Sequence, residues 1–461
     1  MPFLIFLLSV VAIYFILPHR WRWMLLLAAS YFFYGYWKIE YLGLILLSTV
    51  VDFFAAQFIA STDDHLKKKI GLSISLFTNL GLLVLFKYSG WFMTDVLHPI
   101  SAISDSQLNG FQNFWNFALP VGISFYTFQT LGYSIDVYYG RAIPEKNPFK
   151  FALFVSFFPQ LVAGPIERFS HLHKQLFKEQ KFNYTFLQQG GRMILYGLFI
   201  KMCVADNISH VVDQIFEQQN EASALQLVLG ALLFGIQIYS DFHGYSLIAI
   251  GTSRLLGIEL MDNFNAPYTA TSIREFWSKW HISLSTWFRD YLFIPLGGSR
   301  VSRLKLTTNI LIVFIVSGLW HGANWTFVAW GAIHGCSYLM ERWFISKDTA
   351  PWLKFPRWIA TMSIVFIAWV FFRSESIEMA ANYITNAVSS ESTGIHLEWQ
   401  AVSISFIGIF LLSDIHFKNR SIHSWLNEQG AIIRWSVYAF LIFSISCFAG
   451  ITNHPFIYFQ F

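Results

Sequence analysis

The sequence predicts an all-α protein that crosses a membrane about twelve times, and three observations support this fold class. Of its residues, 55% are hydrophobic and only 13% are charged, too few charges to cover a water-facing surface. The chain also contains a series of apolar runs of roughly 15 to 25 residues, the length that a helix needs to cross a bilayer. Finally, Lys and Arg are concentrated in alternate loops, as the positive-inside rule expects of a multi-pass protein.

The elements follow from these runs. Transmembrane helices are predicted at residues 3–17, 23–37, 40–60, 70–92, 118–139, 190–212, 224–250, 306–320, 323–345, 358–372, 399–413 and 432–450. The first run lacks a preceding basic segment and a small-residue cleavage site, so we expect a retained helix and not a signal peptide. Segments 150–163 and 274–297 are apolar or aromatic but are interrupted by Pro and Gly, which indicates re-entrant or interfacial helices.

Loop charge predicts the orientation. One alternate set of loops holds about 26 of the 31 Lys and Arg residues, whereas the other set is acidic or neutral. This places both termini outside the cytoplasm of a bacterial inner membrane, with residues 451–461 as an extracytoplasmic tail. We find no internal repeat or linker, and therefore expect one transmembrane domain over residues 1–461.

Composition also excludes some functions. The net charge of +4 is spread over many short loops, which argues against nucleic-acid binding. The three cysteines lie in apolar runs without metal-ligand spacing, and the His171/His173 pair lacks a third ligand. We therefore expect membrane lipid around the protein, and neither a metal nor a nucleic acid bound to it.

A charged and aromatic segment, residues 274–291, is the first candidate for chemistry. If it is helical, Arg274, Trp277, His281 and Ser285 share one face, which suits a phosphorylated, ring-bearing cofactor. An interfacial amphipathic helix with Trp and Arg at headgroup level remains open as the alternative.

The second candidate is His321, which lies between two apolar runs and among Gly318, Gly322 and Ala323. An ionisable side chain at membrane depth usually faces a cavity, and the small neighbours are expected to leave room for a substrate. Imidazole is also well suited to taking a proton from a hydroxyl near neutral pH. A structural histidine bonded to a neighbouring helix remains the alternative.

Three further polar residues lie in apolar runs. Asp241 is either a structural anchor, which we favour, or an orienting partner for a catalytic histidine. His334 shares no simple helical face with His321 and is expected to be a core residue. The role of His243 is left open.

Six segments in order resemble the membrane-bound O-acyltransferase superfamily, and within it the branch that resembles alginate O-acetyltransferase. They are residues 119–129 (LPVGISFYTFQ), 157–166 (FFPQLVAGPI), 241–246 (DFHGYS), 264–268 (FNAPY), 276–281 (FWSKWH) and 317–322 (SGLWHG). The resemblance extends over essentially the whole chain. His243 departs from it, because relatives more often have a small residue there.

The resemblance implies an active site in a central tunnel, with His321 as the essential histidine and His281 as the second. It further implies that acetyl-coenzyme A enters from the cytoplasm and that the acceptor lies outside. We expect His321 to act as general base, and His281 and Asn324 to orient the thioester or stabilise its oxyanion. Arg274, Lys279 and Arg289 are candidates for phosphate contact on charge and location, with Trp277 and Trp280 beside them.

Terminal motifs of aromatic residues around a tyrosine occur in this branch, so Tyr458 is a candidate acyl acceptor that passes the group to an external transferase. An aromatic belt that anchors the last helix is the alternative. The predicted function is O-acetylation of an envelope or secreted polysaccharide through a periplasmic esterase-like (SGNH) partner. D-Alanyl transfer to a cell-wall polymer and a non-covalent transporter remain open, although we see no duplicated halves of the transporter kind.

Overall fold

The structure, a computed structural model, describes residues 2–97, 120–162, 164–345, 350–397 and 401–449. These residues are folded into helices and loops without a β-strand, which confirms the predicted all-α class. Contacts divide the chain into two compact units. The first contains Met1–Gly191 and Ala249–Met261, and the second contains Arg192–Ile248 and Asp262–Phe461. The prediction of one domain over the whole chain stays a prediction.

The first helices along the chain are α1 (Pro2–Ile16), α2 (His19–Trp37), α3 (Leu42–Ala60), α4 (His65–Leu83), α5 (Ser89–Trp91), α6 (Ile123–Tyr138), α7 (Pro148–Ser156), α8 (Phe158–Leu161), α9 (Phe169–Leu176), α10 (Tyr184–Phe199) and α11 (Asp206–Glu217). They are followed by α12 (Ala224–Leu255), α13 (Ile273–Lys279), α14 (Ile282–Phe288), α15 (Arg303–His321), α16 (Trp325–Phe344), α17 (Lys354–Arg373), α18 (Ile377–Ser389), α19 (Ala401–His416), α20 (Ile422–Glu428) and α21 (Ala431–Phe448). Wider π-helical turns lie at Val84–Tyr88, Phe92–Leu97, Ile200–Ala205 and Arg289–Phe293, and 3₁₀ turns at Ile39–Tyr41, Pro267–Thr269 and Pro351–Leu353.

A helix lies at each of the twelve predicted spans, and short helices lie at both interrupted segments. Among the described residues, seven continuous helical stretches are long and apolar enough to cross a membrane, and α1 and α19 are shorter apolar helices. The protein is therefore a multi-pass membrane protein, as the hydropathy pattern predicted.

Buried hydroxyl and amide groups join α3, α4 and α6 in the first unit. The Asp52 carboxylate accepts hydrogen bonds from Ser75 Oγ at 2.5 Å and from Asn79 Nδ2 at 2.8 Å. Ser134 Oγ of α6 donates to the same carboxylate at 3.3 Å. Because an unpaired polar group is costly away from water, this network fixes how the three helices pack.

The second unit contains all the residues from which the candidate site is built. Its α15 and α16 form a helical hairpin whose turn is residues 322–324. Ser302 caps the N-terminus of α15 by accepting from the Lys305 amide, and Asn324 caps α16 by accepting from the Thr326 amide. The caps set the length of both helices, and therefore hold His321 at the end of α15, beside the turn.

Candidate active site

His321 is the last residue of α15 and lies among aromatic rings. Its side chain is buried, and its ring centroid lies 4.9 Å from that of Trp320, 5.1 Å from that of Trp330 and 5.4 Å from that of Phe372. The Trp330 and Phe372 rings come from α16 and α17. Three elements of the second unit therefore fix the position of this imidazole by packing.

The glycines beside His321 have a different role from the one predicted. A Cβ atom at Gly318 would lie 2.1 Å from the backbone oxygen of Phe327, and one at Gly322 would lie 1.9 Å from Cε2 of the Phe327 ring. The expected room for a substrate is therefore occupied on these sides by the first turn of α16. The small residues serve close packing of the hairpin, because only a hydrogen atom fits there.

His281 interrupts the candidate cofactor-binding segment. It has a φ of +42° and separates α13 from α14, so the segment is not one continuous helix with a single face. A non-glycine residue in the left-handed region is uncommon and is typical of positions that the surrounding structure holds in place. Ser272 caps α13, and Lys279 is its last residue.

Asn263 determines which tautomer His281 adopts. The Asn263 Oδ1 atom accepts from the backbone amide of Ser283 at 3.4 Å and from Ser283 Oγ at 2.6 Å, so this atom is the oxygen and not the nitrogen of the amide. His281 Nδ1 lies 3.3 Å from the same oxygen and must carry the proton that it donates.

The remaining nitrogen, His281 Nε2, is buried and has no hydrogen-bond partner among the described residues. Burial lowers the pKa of His281, which lies outside the candidate spans, to about 3. The ring is therefore neutral near pH 7, and because Nδ1 carries the proton, Nε2 presents a lone pair.

Trp320 joins the two predicted histidines. Its ring centroid lies 6.0 Å from that of His281 and 4.9 Å from that of His321. Residues that are 40 positions apart in sequence therefore share one indole as a neighbour in the fold.

A cavity of about 450 Å³ lies between the α13–α14 segment and α15, and its lining includes Ile282, the residue after His281. Its lining includes Arg274, Trp277 and Arg289, which were predicted to bind a cofactor, and Ser317, one turn before His321. Arg274 lies over the Tyr338 ring, 5.5 Å from its centroid, and its buried Nε has no hydrogen-bond partner among the described residues. Two guanidinium groups and an indole at a cavity suit a phosphorylated ligand.

The other two predicted cofactor contacts lie outside this lining. Lys279 Nζ donates to Glu275 Oε1 at 2.5 Å and to Thr269 Oγ1 at 3.1 Å, which makes it part of an ion pair within the segment. Trp280 is fully buried and stacks on Phe276 at 5.6 Å. Both side chains support the fold of the segment in this structure.

Asn324 and Asp241 are also engaged in structural contacts. Besides capping α16, Asn324 donates from Nδ2 to the backbone oxygen of Glu375 at 2.7 Å. Asp241 forms a buried ion pair with Lys201 at 2.8 Å, and Lys201 also pairs with Asp206. These contacts favour the anchoring role for Asp241. Tyr458 lies outside the described residues.

Four other histidines that the sequence analysis considered have identifiable partners. His334 accepts from Trp277 Nε1 at Nδ1, 3.4 Å away, and His243 stacks on Tyr239 at 5.4 Å. His171 pairs with Glu167 and His173 with Glu145, both at 2.6 Å, and the hydrogen bond that His171 donates to Glu167 raises the pKa of His171. Within the described ranges, no group of three or more His, Cys, Asp or Glu side chains is placed to hold a metal.

Asn263 and Trp330 are among the site residues that the sequence did not reveal. Asn263 lies in a loop without helical or strand periodicity, next to the motif at residues 264–268, to which the sequence analysis gave no chemical role. Trp330 is one of 18 tryptophans. The motif around His321 pointed to its neighbour Trp320, but no sequence pattern indicates which distant side chains contact an imidazole.

Comparisons with known proteins identify the family of the chain. Residues 29–381 match the family model of MBOAT, the membrane-bound O-acyltransferase family. The chain is 38% identical to a probable alginate O-acetylase of Azotobacter vinelandii, over 82% of this chain and 74% of the relative. It is 35% identical to a peptidoglycan O-acetyltransferase of Helicobacter pylori, over 83% and 76%.

More distant similarity extends to a teichoic acid D-alanyltransferase of Streptococcus thermophilus, at 31% identity over 55% of this chain and 64% of that protein. The family match covers more than half of the chain, and the two acetylating relatives cover most of it. The predicted resemblance is confirmed: the chain belongs to the membrane-bound O-acyltransferase family and is an O-acyltransferase.

Proposed function

We propose that this protein transfers acetyl groups from cytoplasmic acetyl-coenzyme A to a hydroxyl for the O-acetylation of an envelope or secreted polysaccharide. The observation that supports this most directly is the cavity at Arg274 and Arg289, whose lining reaches Ser317, one turn from His321. A thioester whose carrier bears phosphates fits such a cavity, because the guanidinium groups bind phosphate and the acyl end lies near the imidazole. The acetylating relatives favour acetyl as the group transferred.

In this proposal His321 is the general base. It takes the proton from the acceptor hydroxyl as the hydroxyl oxygen bonds to the acyl carbon. The carbon–sulfur bond breaks, the sulfur leaves with the electron pair, and the proton returns from His321 to the thiolate. Neutral imidazole suits this role because it accepts a proton and releases it again near pH 7.

We assign the binding of the donor to Arg274, Arg289 and Trp277, which line the cavity together. Lys279, Trp280, Asn324 and Asp241 act on the fold around the site, because each has the structural partners described above.

Loop charge supports the proposed setting. We place the protein in the bacterial inner membrane with both termini extracytoplasmic. Tyr458 then lies outside as the acyl acceptor, and a periplasmic SGNH esterase-like partner moves the acetyl group to the polysaccharide. A phenyl ester keeps transfer potential because phenolate is a better leaving group than a sugar alkoxide.

The test uses the full chain in nanodiscs with radiolabelled acetyl-coenzyme A, and Tyr458→Phe as the matched variant. We expect covalent label on the parent, none on Tyr458→Phe, and none on His321→Ala. Equal labelling of the parent and Tyr458→Phe would remove the carrier role.

Failure of the parent to consume acetyl-coenzyme A, while a D-alanyl carrier-protein thioester is consumed, would favour the alternative acyl group. A transporter would move its substrate after loss of both His281 and His321.

A further inference from the structure

Negative charge develops on the acyl carbonyl oxygen during transfer, and we propose that the indole N–H of Trp330 donates the hydrogen bond that stabilises it. This inference rests on the proposed function, because it presumes acyl transfer at His321. It assigns a catalytic role to a residue that neither the motifs nor the resemblance identified.

The two donors expected from the sequence are committed elsewhere. The Asn324 amide donates to the backbone oxygen of Glu375 at 2.7 Å, and its oxygen caps α16. His281 donates from Nδ1 to Asn263, so its Nε2 carries a lone pair and repels an oxyanion. Neither of these two groups is therefore available to the carbonyl oxygen.

Trp330 has an N–H group that can donate. Its side chain is fully buried, and Nε1 has no hydrogen-bond partner among the described residues. Leaving a buried donor unpaired costs about 1–3 kcal/mol, so a bound group that accepts from this N–H would gain free energy of that order.

The neighbouring imidazole of His334 does not accept this hydrogen. The His334 ring lies 5.0 Å from that of Trp330, and its Nδ1 accepts from Trp277. A neutral imidazole has one acceptor nitrogen, so Nε2 of His334 carries a hydrogen and is itself a donor. His334 is thus a neighbouring donor and does not satisfy the Trp330 N–H.

The location of Trp330 suits a group in transit from the cavity to the imidazole. Its ring centroid lies 5.6 Å from that of Trp277, which lines the cavity, and 5.1 Å from that of His321. In the proposed reaction the acyl carbon is attacked beside His321 while the thioester sulfur is still bound on the cavity side. The acyl carbon then lies close to Trp330.

The proposed role is electrostatic. The bond from the hydroxyl oxygen to the acyl carbon forms, the carbon–sulfur bond breaks, and the hydroxyl proton passes to His321 and then to the thiolate. Trp330 keeps its proton throughout and stabilises the charge on the carbonyl oxygen. Removal of one such donor lowers kcat by about 10²–10³-fold in enzymes of this kind of chemistry.

The decisive experiment removes the N–H and keeps the ring. Trp330→3-benzothienylalanine replaces N–H by sulfur with little change of shape, and Trp330→Phe is the second variant. Trp369 provides the matched control: it is fully buried, its Nε1 is equally without a partner among the described residues, and its ring lies 6.0 Å from that of Trp330.

We expect both Trp330 variants, measured as the full chain in nanodiscs with acetyl-coenzyme A, to lose about 10²–10³-fold in kcat with KM within about threefold of the parent. Trp369→3-benzothienylalanine should stay within about threefold of the parent in both constants. Unchanged kcat after replacement of the Trp330 N–H, or an equal loss at Trp369, would overturn the assignment. If the parent shows His321-dependent transfer and position 330 has no effect, this inference fails and the proposed function stands.

Discussion

The two histidines of the site are held in place by different kinds of interaction. His281 sits in a polar network, where Asn263 fixes its tautomer and Ser283 fixes Asn263. His321 is held by aromatic rings and by the close approach of α15 and α16 at Gly318. The difference indicates that the state of His281 depends on a single hydrogen bond, whereas the position of His321 depends on packing that is distributed over a hairpin.

The largest expected effect is that of removing the packed imidazole itself. His321→Ala should lower acetyl transfer by about 10²–10⁴-fold, because general-base catalysis contributes that much to the rate. Acetyl release from labelled acetyl-coenzyme A is the measurement, and the exposed His396→Ala is the control for loss of a histidine. A folded His321→Ala protein with parental activity would show that the packing of His321 serves the fold and not the acyl transfer.

An intermediate effect is expected from disturbing the packing around His321. Gly318→Ala should lower the free energy of unfolding by about 1–3 kcal/mol, because its Cβ would lie 2.1 Å from a backbone oxygen that must move. The control is Gly408→Ala in α19, where a Cβ meets no atom within 4 Å. The measurement is thermal unfolding of the two variants in detergent. Equal melting temperatures would mean that α15 and α16 can move apart without loss of stability.

The smallest effect should come from the polar network. Asn263→Leu removes the bond to His281 together with those to Ser246 and Ser283. Loss of the bond to His281 should lower activity about tenfold, since such a bond contributes about 0.5–1.5 kcal/mol. Asn263→Asp should retain more activity, because a carboxylate still accepts from His281 Nδ1.

The Asp variant has a distinct signature in the pH dependence. Its carboxylate would raise the pKa of His281, so protonation of Nε2 would begin at higher pH and the acid limb of the rate profile would move upward. Asn265→Asp, whose parent side chain bonds to Asn419, is the control for added charge nearby. Coincident profiles for parent and Asn263→Asp would mean that His281 does not need a neutral Nε2.

Hydropathy was sufficient to predict the helices, and the resemblance pointed to two histidines that the fold brings to one indole. A membrane span needs a long apolar run, so the apolar composition of the sequence is enough to predict α3, α12 and α17. The interrupted segment at 274–297 was equally visible, because Pro and Gly interrupt its helical pattern. Assigning phosphate contacts by charge was less successful: Arg274 and Arg289 line the cavity, whereas Lys279 is held by Glu275.

The sequence by itself determined that this is an all-α membrane protein of the O-acyltransferase family. Bilayer thickness sets the length of each apolar run, and each family motif consists of residues that are neighbours in the chain, so both signals can be found in the sequence. Only the tertiary structure decided that Asn263 orients His281, that Phe327 fills the space beside the glycines, and that Trp330 contacts His321. These contacts join residues that are distant in the chain or lie on different helices. No periodicity encodes them, because they depend on how the helices of the second unit pack.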